Sequence, residues 1–110
     1  MIRLFLILQS GLFLGAASLH FGFFGKGYEH TKARIAETII GLVLVTGFIL
    51  TLFSPDKQQV IARTVQAFAL FGTCIGIFTI IAGVGPRARI DIILHLCMIT
   101  LLIWGIILTV

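Results

Sequence analysis

Two histidines and two carboxylates lie within or beside otherwise apolar stretches of this chain, and they are the residues best suited to chemistry. They are His20, Glu37, Asp91 and His95. Asp91 and His95 are four positions apart, which places them on one face of a helix. Imidazole and carboxylate exchange protons near neutral pH and also bind transition metals. These four residues are therefore the candidate site for a ligand, a proton or a metal, with His20 and His95 as the candidate metal ligands.

Each of the four residues also has a structural interpretation. Glu37 and Asp91 stand near predicted helix starts, where the helix macrodipole favours carboxylates. A buried histidine can equally serve in a structural hydrogen bond. The sequence has no C-x-x-C, H-x-x-x-H or E-x-x-H spacing that would specify a metal or haem site. A metal, a haem or a quinone thus stays open as a cofactor, none is required, and no catalytic residue is predicted.

The composition excludes a water-soluble domain. Of the 110 residues, 59% are hydrophobic and 11% are charged, with a mean hydropathy of +1.18, whereas soluble proteins are about 25% charged. The net charge is +4, but the eight Lys and Arg residues are scattered along the chain. Scattered cations argue against nucleic acid as a partner and favour anchoring of helix ends at lipid headgroups. The predicted partner is the lipid bilayer.

Four apolar stretches are long enough to cross a membrane, since about 20 helical residues span a hydrocarbon core of about 30 Å. They cover residues 4–24, 35–53, 65–84 and 92–110. Short polar connections make consecutive helices antiparallel neighbours. We predict an all-α fold, an integral membrane four-helix bundle in up-down-up-down order that forms one transmembrane domain over residues 1–110.

The candidate residues lie at similar depths in these spans and therefore form one layer. The end of the first span and the starts of the second and fourth spans face the same side of the membrane, so His20, Glu37 and the Asp91/His95 pair share a level. Polar side chains inside a membrane are costly and mark functional sites. Gln9 and Gln66 have similar depth near the opposite side, where we expect a hydrogen bond between helices.

Small residues at a spacing of three and four predict close contact between membrane helices. On the first helix they lie within about 60° of one another, at about 100° per residue, and the third helix has a similar stripe. The predicted packing positions are Gly11, Gly15, Ser18, Gly22, Gly72, Gly76 and Gly83.

Two segments carry a resemblance to a known family. Leu19-His20-Phe21-Gly22 lies late in the first apolar stretch, and the AETIIGLVL segment at residues 36–44 opens the second. Together they resemble the DoxX-like family of small four-helix bacterial membrane proteins, over about the first half of the chain. The resemblance implies a four-helix bundle and an occasional association with quinone-linked redox systems, and it transfers no catalytic residue. The predicted location is the bacterial inner membrane.

Three functions fit these observations. The first is an auxiliary or transport-type module with no catalysis of its own. The second is a membrane redox protein, or one that binds a metal, a haem or a quinone through the polar layer. The third is a structural subunit of a larger membrane complex. Both a homo-oligomer and a larger assembly remain open.

The distribution of cations predicts the orientation. The side of the membrane with the first and third loops holds five of the eight Lys and Arg residues, so loops 25–32 and 85–89 are predicted to be cytoplasmic. In a background without Cys74 and Cys97, the Asp56→Cys variant should react with an impermeant thiol reagent in intact cells, and Tyr28→Cys should not. Equal labelling at the two positions would instead indicate dual insertion.

Overall fold

Four long α-helices make up most of the structure. The computed structural model describes residues 1–85 and 88–110, and this part of the chain contains no strand. The helices are α1 (Ile2–His20), α2 (Thr31–Phe53), α3 (Gln58–Ala82) and α4 (Arg89–Ile107), with short 3-10 helices at Lys26–Tyr28 and Pro55–Lys57. All four α-helices are long and apolar enough to cross a membrane. The predictions of an all-α chain and of four apolar helices are confirmed.

Two glycines determine where helices end. α1 ends at His20 rather than at residue 24, and Gly22 follows with a φ of 88°. α3 ends at Ala82, with Gly83 in the left-handed conformation. Glycine adopts positive φ without steric cost, so both positions favour a turn over a continued helix. As a result His20 is the last residue of its helix, and the predicted packing positions Gly22 and Gly83 act as turn residues instead.

The buried core is narrow, and most large apolar side chains face outward. Phe13, Leu44 and Leu102 are fully buried, while large apolar residues on all four helices are exposed. Soluble monomers rarely carry apolar surface of this extent. The longest dimension of the fold is 44 Å, close to the thickness of a bilayer with its headgroups, about 40–45 Å.

Gln9 and Gln66 connect three helices at one end of the bundle. Gln9 Nε2 donates to Gln66 Oε1 at 2.8 Å and to the backbone oxygen of Leu101 at 2.9 Å. Gln66 Nε2 donates to the backbone oxygen of Ala62 at 2.9 Å. Gly105 of α4 leaves room for the pair, because a Cβ at this position would overlap with Gln66 Oε1. The expectation that these glutamines form hydrogen bonds between helices is confirmed.

Two arginines stabilise helix ends on the same side of the bundle. Arg3, in the first turn of α1, donates to the backbone oxygen of Thr51 near the end of α2 at 2.8 Å. Arg63, near the start of α3, donates to the backbone oxygen of Thr109 just beyond α4. The last carbonyls of a helix lack intrahelical partners and carry partial negative charge. Each arginine therefore neutralises the end of a neighbouring helix.

The predicted glycine contacts differ between the first and third helices. A Cβ on Gly72 would lie 2.7 Å from Ile40 Cδ1, and one on Gly76 would lie 2.8 Å from His95 Nε2. These two glycines bring α2 and α4 close to α3, as expected. On α1, a Cβ at Gly11 or Gly15 would meet nothing within 4 Å.

The expectation that Gly11 and Gly15 contact another helix therefore fails within this chain. Both are exposed, because the inner face of α1 is formed by larger buried residues such as Leu6 and Phe13. Ser18, the remaining member of the stripe, is half-buried and donates to the backbone oxygen of Leu14 at 3.0 Å.

The contrast between Gly105 and Gly11 gives a test of the glutamine layer. Gly105→Ala should lower the free energy of unfolding in detergent by about 1–3 kcal/mol, because the new methyl group separates buried hydrogen-bonding partners. Gly11→Ala, also within a helix, has free space around it and should be neutral or stabilising by up to about 1 kcal/mol. Equal stability of the two variants would contradict this account.

Candidate functional site

His20, Glu37 and Asp91 meet at the opposite end of the bundle from the glutamines. His20 Nδ1 lies 2.7 Å from Glu37 Oε2, and His20 Nε2 lies 2.6 Å from Asp91 Oδ1. The three side chains are 1%, 7% and 3% exposed, respectively. We call this group the His–carboxylate cluster. It joins three of the four candidate residues from three separate helices.

Local structure holds each member of the cluster in place. His20 closes α1, and its backbone oxygen accepts a hydrogen bond from the His30 N–H at 3.0 Å. Asp91 lies in the first turn of α4, where its Oδ2 accepts from the Ala88 N–H at 2.9 Å. Glu37 lies in the second turn of α2. The helix-start interpretation of Asp91 is thus correct, and one carboxylate both caps α4 and binds the imidazole.

The two short hydrogen bonds of His20 determine the charge of the cluster. A carboxylate can only accept, and a neutral imidazole donates from one nitrogen alone. Both bonds can therefore form only if the cluster holds one proton more than a neutral imidazole and two ionised carboxylates hold together. Whether that proton is on His20 or on a carboxyl group, the cluster has one net negative charge.

His95 joins the cluster only through the main chain of Asp91. Its Nδ1 lies 2.7 Å from the backbone oxygen of Asp91. A carbonyl oxygen only accepts, so Nδ1 carries the hydrogen and, in the neutral ring, Nε2 presents a lone pair. The absence of a side chain at Gly76 leaves room for this edge of the ring.

The geometry does not support His20 as a metal or haem ligand. Both of its nitrogens already bind carboxylates, so coordination would require breaking one of those bonds. Over residues 1–85 and 88–110, no group of three or more His, Cys, Asp or Glu side chains could hold a metal ion. His95 offers one nitrogen. Cys74 and Cys97 are free and exposed.

A cavity of about 250 Å³ lies beside the cluster, between α2, α3 and α4. Ala36 of α2 and Ile75 of α3 line it and are exposed, so it reaches the outer surface between these two helices. His30 and Lys32 line it at the loop end. Phe13, which is 1% exposed, contributes to the inner wall.

Glu37 and His95 connect the cavity with the cluster, since both line it. Counted as whole residues, Glu37 is 5% exposed and His95 is 7% exposed. Neither Glu37 Oε1 nor His95 Nε2 has a hydrogen-bond partner within the described part of the chain. Sequence reasoning missed the cavity, although Gly72 and Gly76 lie in its wall and were visible as a small-residue stripe.

Coupling between His20 and Glu37 tests the cluster. His20→Ala should destabilise the protein by about 1–3 kcal/mol, since it leaves buried carboxylates unpaired. The double variant His20→Ala with Glu37→Ala should lose less than the sum of the single losses, by about 0.5–3 kcal/mol. Unfolding of the four proteins in detergent measures this difference.

Gln9 supplies the control for this comparison of single and double variants. It lies eleven positions before His20 on the same helix, or about 16 Å at about 1.5 Å per residue. The losses from Gln9→Ala and His20→Ala should therefore add within about 0.5 kcal/mol. Coupling of His20 with His95 should be weaker than with Glu37, because it passes through the Asp91 backbone. Strict additivity of His20 and Glu37 would refute the cluster.

Comparisons of the chain with protein-family models, with curated proteins and with solved structures find no match. The resemblance to the DoxX-like family thus stays a prediction that rests on the two sequence segments alone. The function is therefore inferred from the His–carboxylate cluster and the cavity beside it.

Proposed function

We propose that this chain is an integral membrane four-helix bundle that binds a small, largely apolar molecule in the cavity between α2, α3 and α4. It would act as an auxiliary or transport-type module without catalysis of its own. The observation that carries the proposal is a cavity with mostly apolar walls that reaches two buried polar groups, Glu37 and His95. Binding sites typically combine apolar walls with a few convergent polar groups.

The contacts between helix ends support an up-down-up-down arrangement across the bilayer. The start of α1 meets the end of α2 through Arg3 and Thr51, and the end of α1 meets the start of α2 through His20 and Glu37. Exposed apolar residues surround all four helices. Such a surface is stable in a bilayer, because the lipid hydrocarbon is itself apolar and contacts apolar side chains without a penalty.

The proposed location is the bacterial inner membrane, with loops 25–32 and 85–89 in the cytoplasm. The location is supported by the family resemblance and the orientation by the distribution of Lys and Arg. Pro86 and Arg87, which belong to the second of these loops, lie outside the described residues.

The closed half of the bundle favours binding over passage of the ligand. Beyond Phe13 the interior is occupied by Leu44, Leu102 and the hydrogen-bonded pair Gln9 and Gln66, all buried. A continuous path through the protein would require breaking the buried glutamine hydrogen bonds, whose loss carries a desolvation cost. An auxiliary role needs no such opening.

Filling the cavity tests the proposal. Ala36→Trp places a large side chain at the rim of the cavity, and Ile39→Trp places the same residue on α2 at an exposed position outside it. Mass spectrometry should find a small molecule retained by the wild-type protein and by Ile39→Trp after purification from membranes in mild detergent. Ala36→Trp should retain at most about a tenth as much, as steric exclusion from a preformed pocket predicts. Equal retention in all three proteins, or none in any, would contradict the proposal.

A further inference from the structure

We propose that the occupant of this cavity is a neutral molecule with an apolar body and a hydroxyl group that donates its one hydrogen bond to His95 Nε2. This inference rests on the proposed function and specifies the ligand of that same site. The reason is that the buried polar groups of the cavity all present hydrogen-bond acceptors.

Glu37 and His95 supply the first two acceptors. Glu37 Oε2 is already bound to His20, which leaves Oε1 as an acceptor beside the cavity. His95 Nδ1 is bound to the Asp91 backbone oxygen, which leaves the Nε2 lone pair. Both side chains are more than nine-tenths buried. Hydrogen bonds are stronger in the low dielectric of a largely apolar site than in water, so a ligand that brings a donor gains affinity from such an acceptor.

Two threonines in the cavity wall also offer only hydrogen-bond acceptors to a ligand. Thr73 Oγ1 donates to the backbone oxygen of Ala69 at 2.7 Å, and Thr79 Oγ1 donates to that of Gly76 at 2.6 Å. A hydroxyl has one hydrogen to donate, so only oxygen lone pairs remain for a ligand. The donors in the lining are the Lys32 ammonium group and the Nε2–H of neutral His30, whose Nδ1 accepts from the Ala33 N–H, and both lie at the loop end. A carbonyl or ether beside Glu37 and His95 would therefore place one acceptor against others.

The surroundings favour a neutral donor over a cation. Lys32 lines the cavity and lies at its exposed end, so an entering cation would meet a like charge. Apolar walls also penalise transfer of an ion from water far more than transfer of a hydroxyl group. The negative charge of the cluster is already compensated in part by the helix start at Ala88, whose N–H binds Asp91.

The size of the cavity suits an alkyl-substituted ring. An apolar protein cavity of about 150 Å³ holds benzene, and this one measures about 250 Å³. 4-Butylphenol and 4-butylanisole are therefore matched probes, since they differ only in the methyl group that removes the donor.

The experiment measures the affinity of both probes for the full chain in lipid nanodiscs by ligand-observed NMR. Nanodiscs with Ala36→Trp, whose cavity is filled, give the contribution of partition into lipid. The wild-type protein should bind the phenol about tenfold or more tightly than the anisole, as expected for a hydrogen bond to a buried or charged acceptor. In His95→Leu the preference should fall to about threefold or less, while the affinity for the anisole stays within about threefold.

The outcomes separate the two proposals. Equal binding of phenol and anisole above the Ala36→Trp background would overturn the donor requirement and leave the binding cavity standing. Binding of neither probe above that background, together with no molecule retained on purification, would overturn both. Tighter binding of 4-butylbenzylamine, which is protonated at pH 7, would overturn the neutral ligand. A preference for the phenol that persists undiminished in His95→Leu would overturn the assignment of His95 as acceptor.

Discussion

An imidazole held between two carboxylates inside an apolar bundle is the interaction on which the packing of α1, α2 and α4 near the first loop depends. His20 contributes one ring and two nitrogens, and each nitrogen binds a carboxylate from a different helix. In low dielectric such a group is stable only when its bonds are complete, since removal of one partner strands the others. The cluster therefore couples the position of α1 to those of α2 and α4. It also leaves an oxygen of Glu37 turned away from His20, at the wall of the cavity.

The two ends of the bundle bury their polar groups in different arrangements. At one end Arg3 and Arg63 donate to backbone oxygens near helix C-termini. Gln9 donates to Gln66 and to the backbone, and Gln66 donates to the backbone. These hydrogen bonds link all four helices, although Gln9 Oε1 and Arg3 Nε are buried there without a partner within the described residues. At the other end the His–carboxylate cluster forms, and Glu37 and His95 line the cavity beside it. The cavity, rather than the unpartnered acceptors alone, is what supports the proposal of binding at the end near the first loop.

The α1–α2 and α3–α4 hairpins share a plan that the sequence does not display as a repeat. Each begins with an arginine that binds the end of its second helix, and each places a carboxylate near the start of that second helix. The imidazole comes from the first hairpin alone. One histidine thus binds the carboxylates of both hairpins and joins the two halves near the first loop, as Gln9 joins them elsewhere in the bundle.

The sequence by itself determined the helices, their approximate limits and the layer in which the polar residues lie. It could do so because the bilayer sets the length of an apolar helix and short loops set its direction, so depth follows from counting residues. Gln9 and Gln66 were assigned a similar depth on this basis. The rotation of each helix about its own axis could not be predicted from the sequence. Nearly every face of these helices is apolar, so the hydrophobic pattern does not identify the face that points inward. Only the tertiary structure decided that Gly11 and Gly15 face outward, that both nitrogens of His20 are occupied, and that small residues on α3 border a cavity. Each of these depends on which faces meet, and that is settled by side-chain packing and by the completion of buried hydrogen bonds.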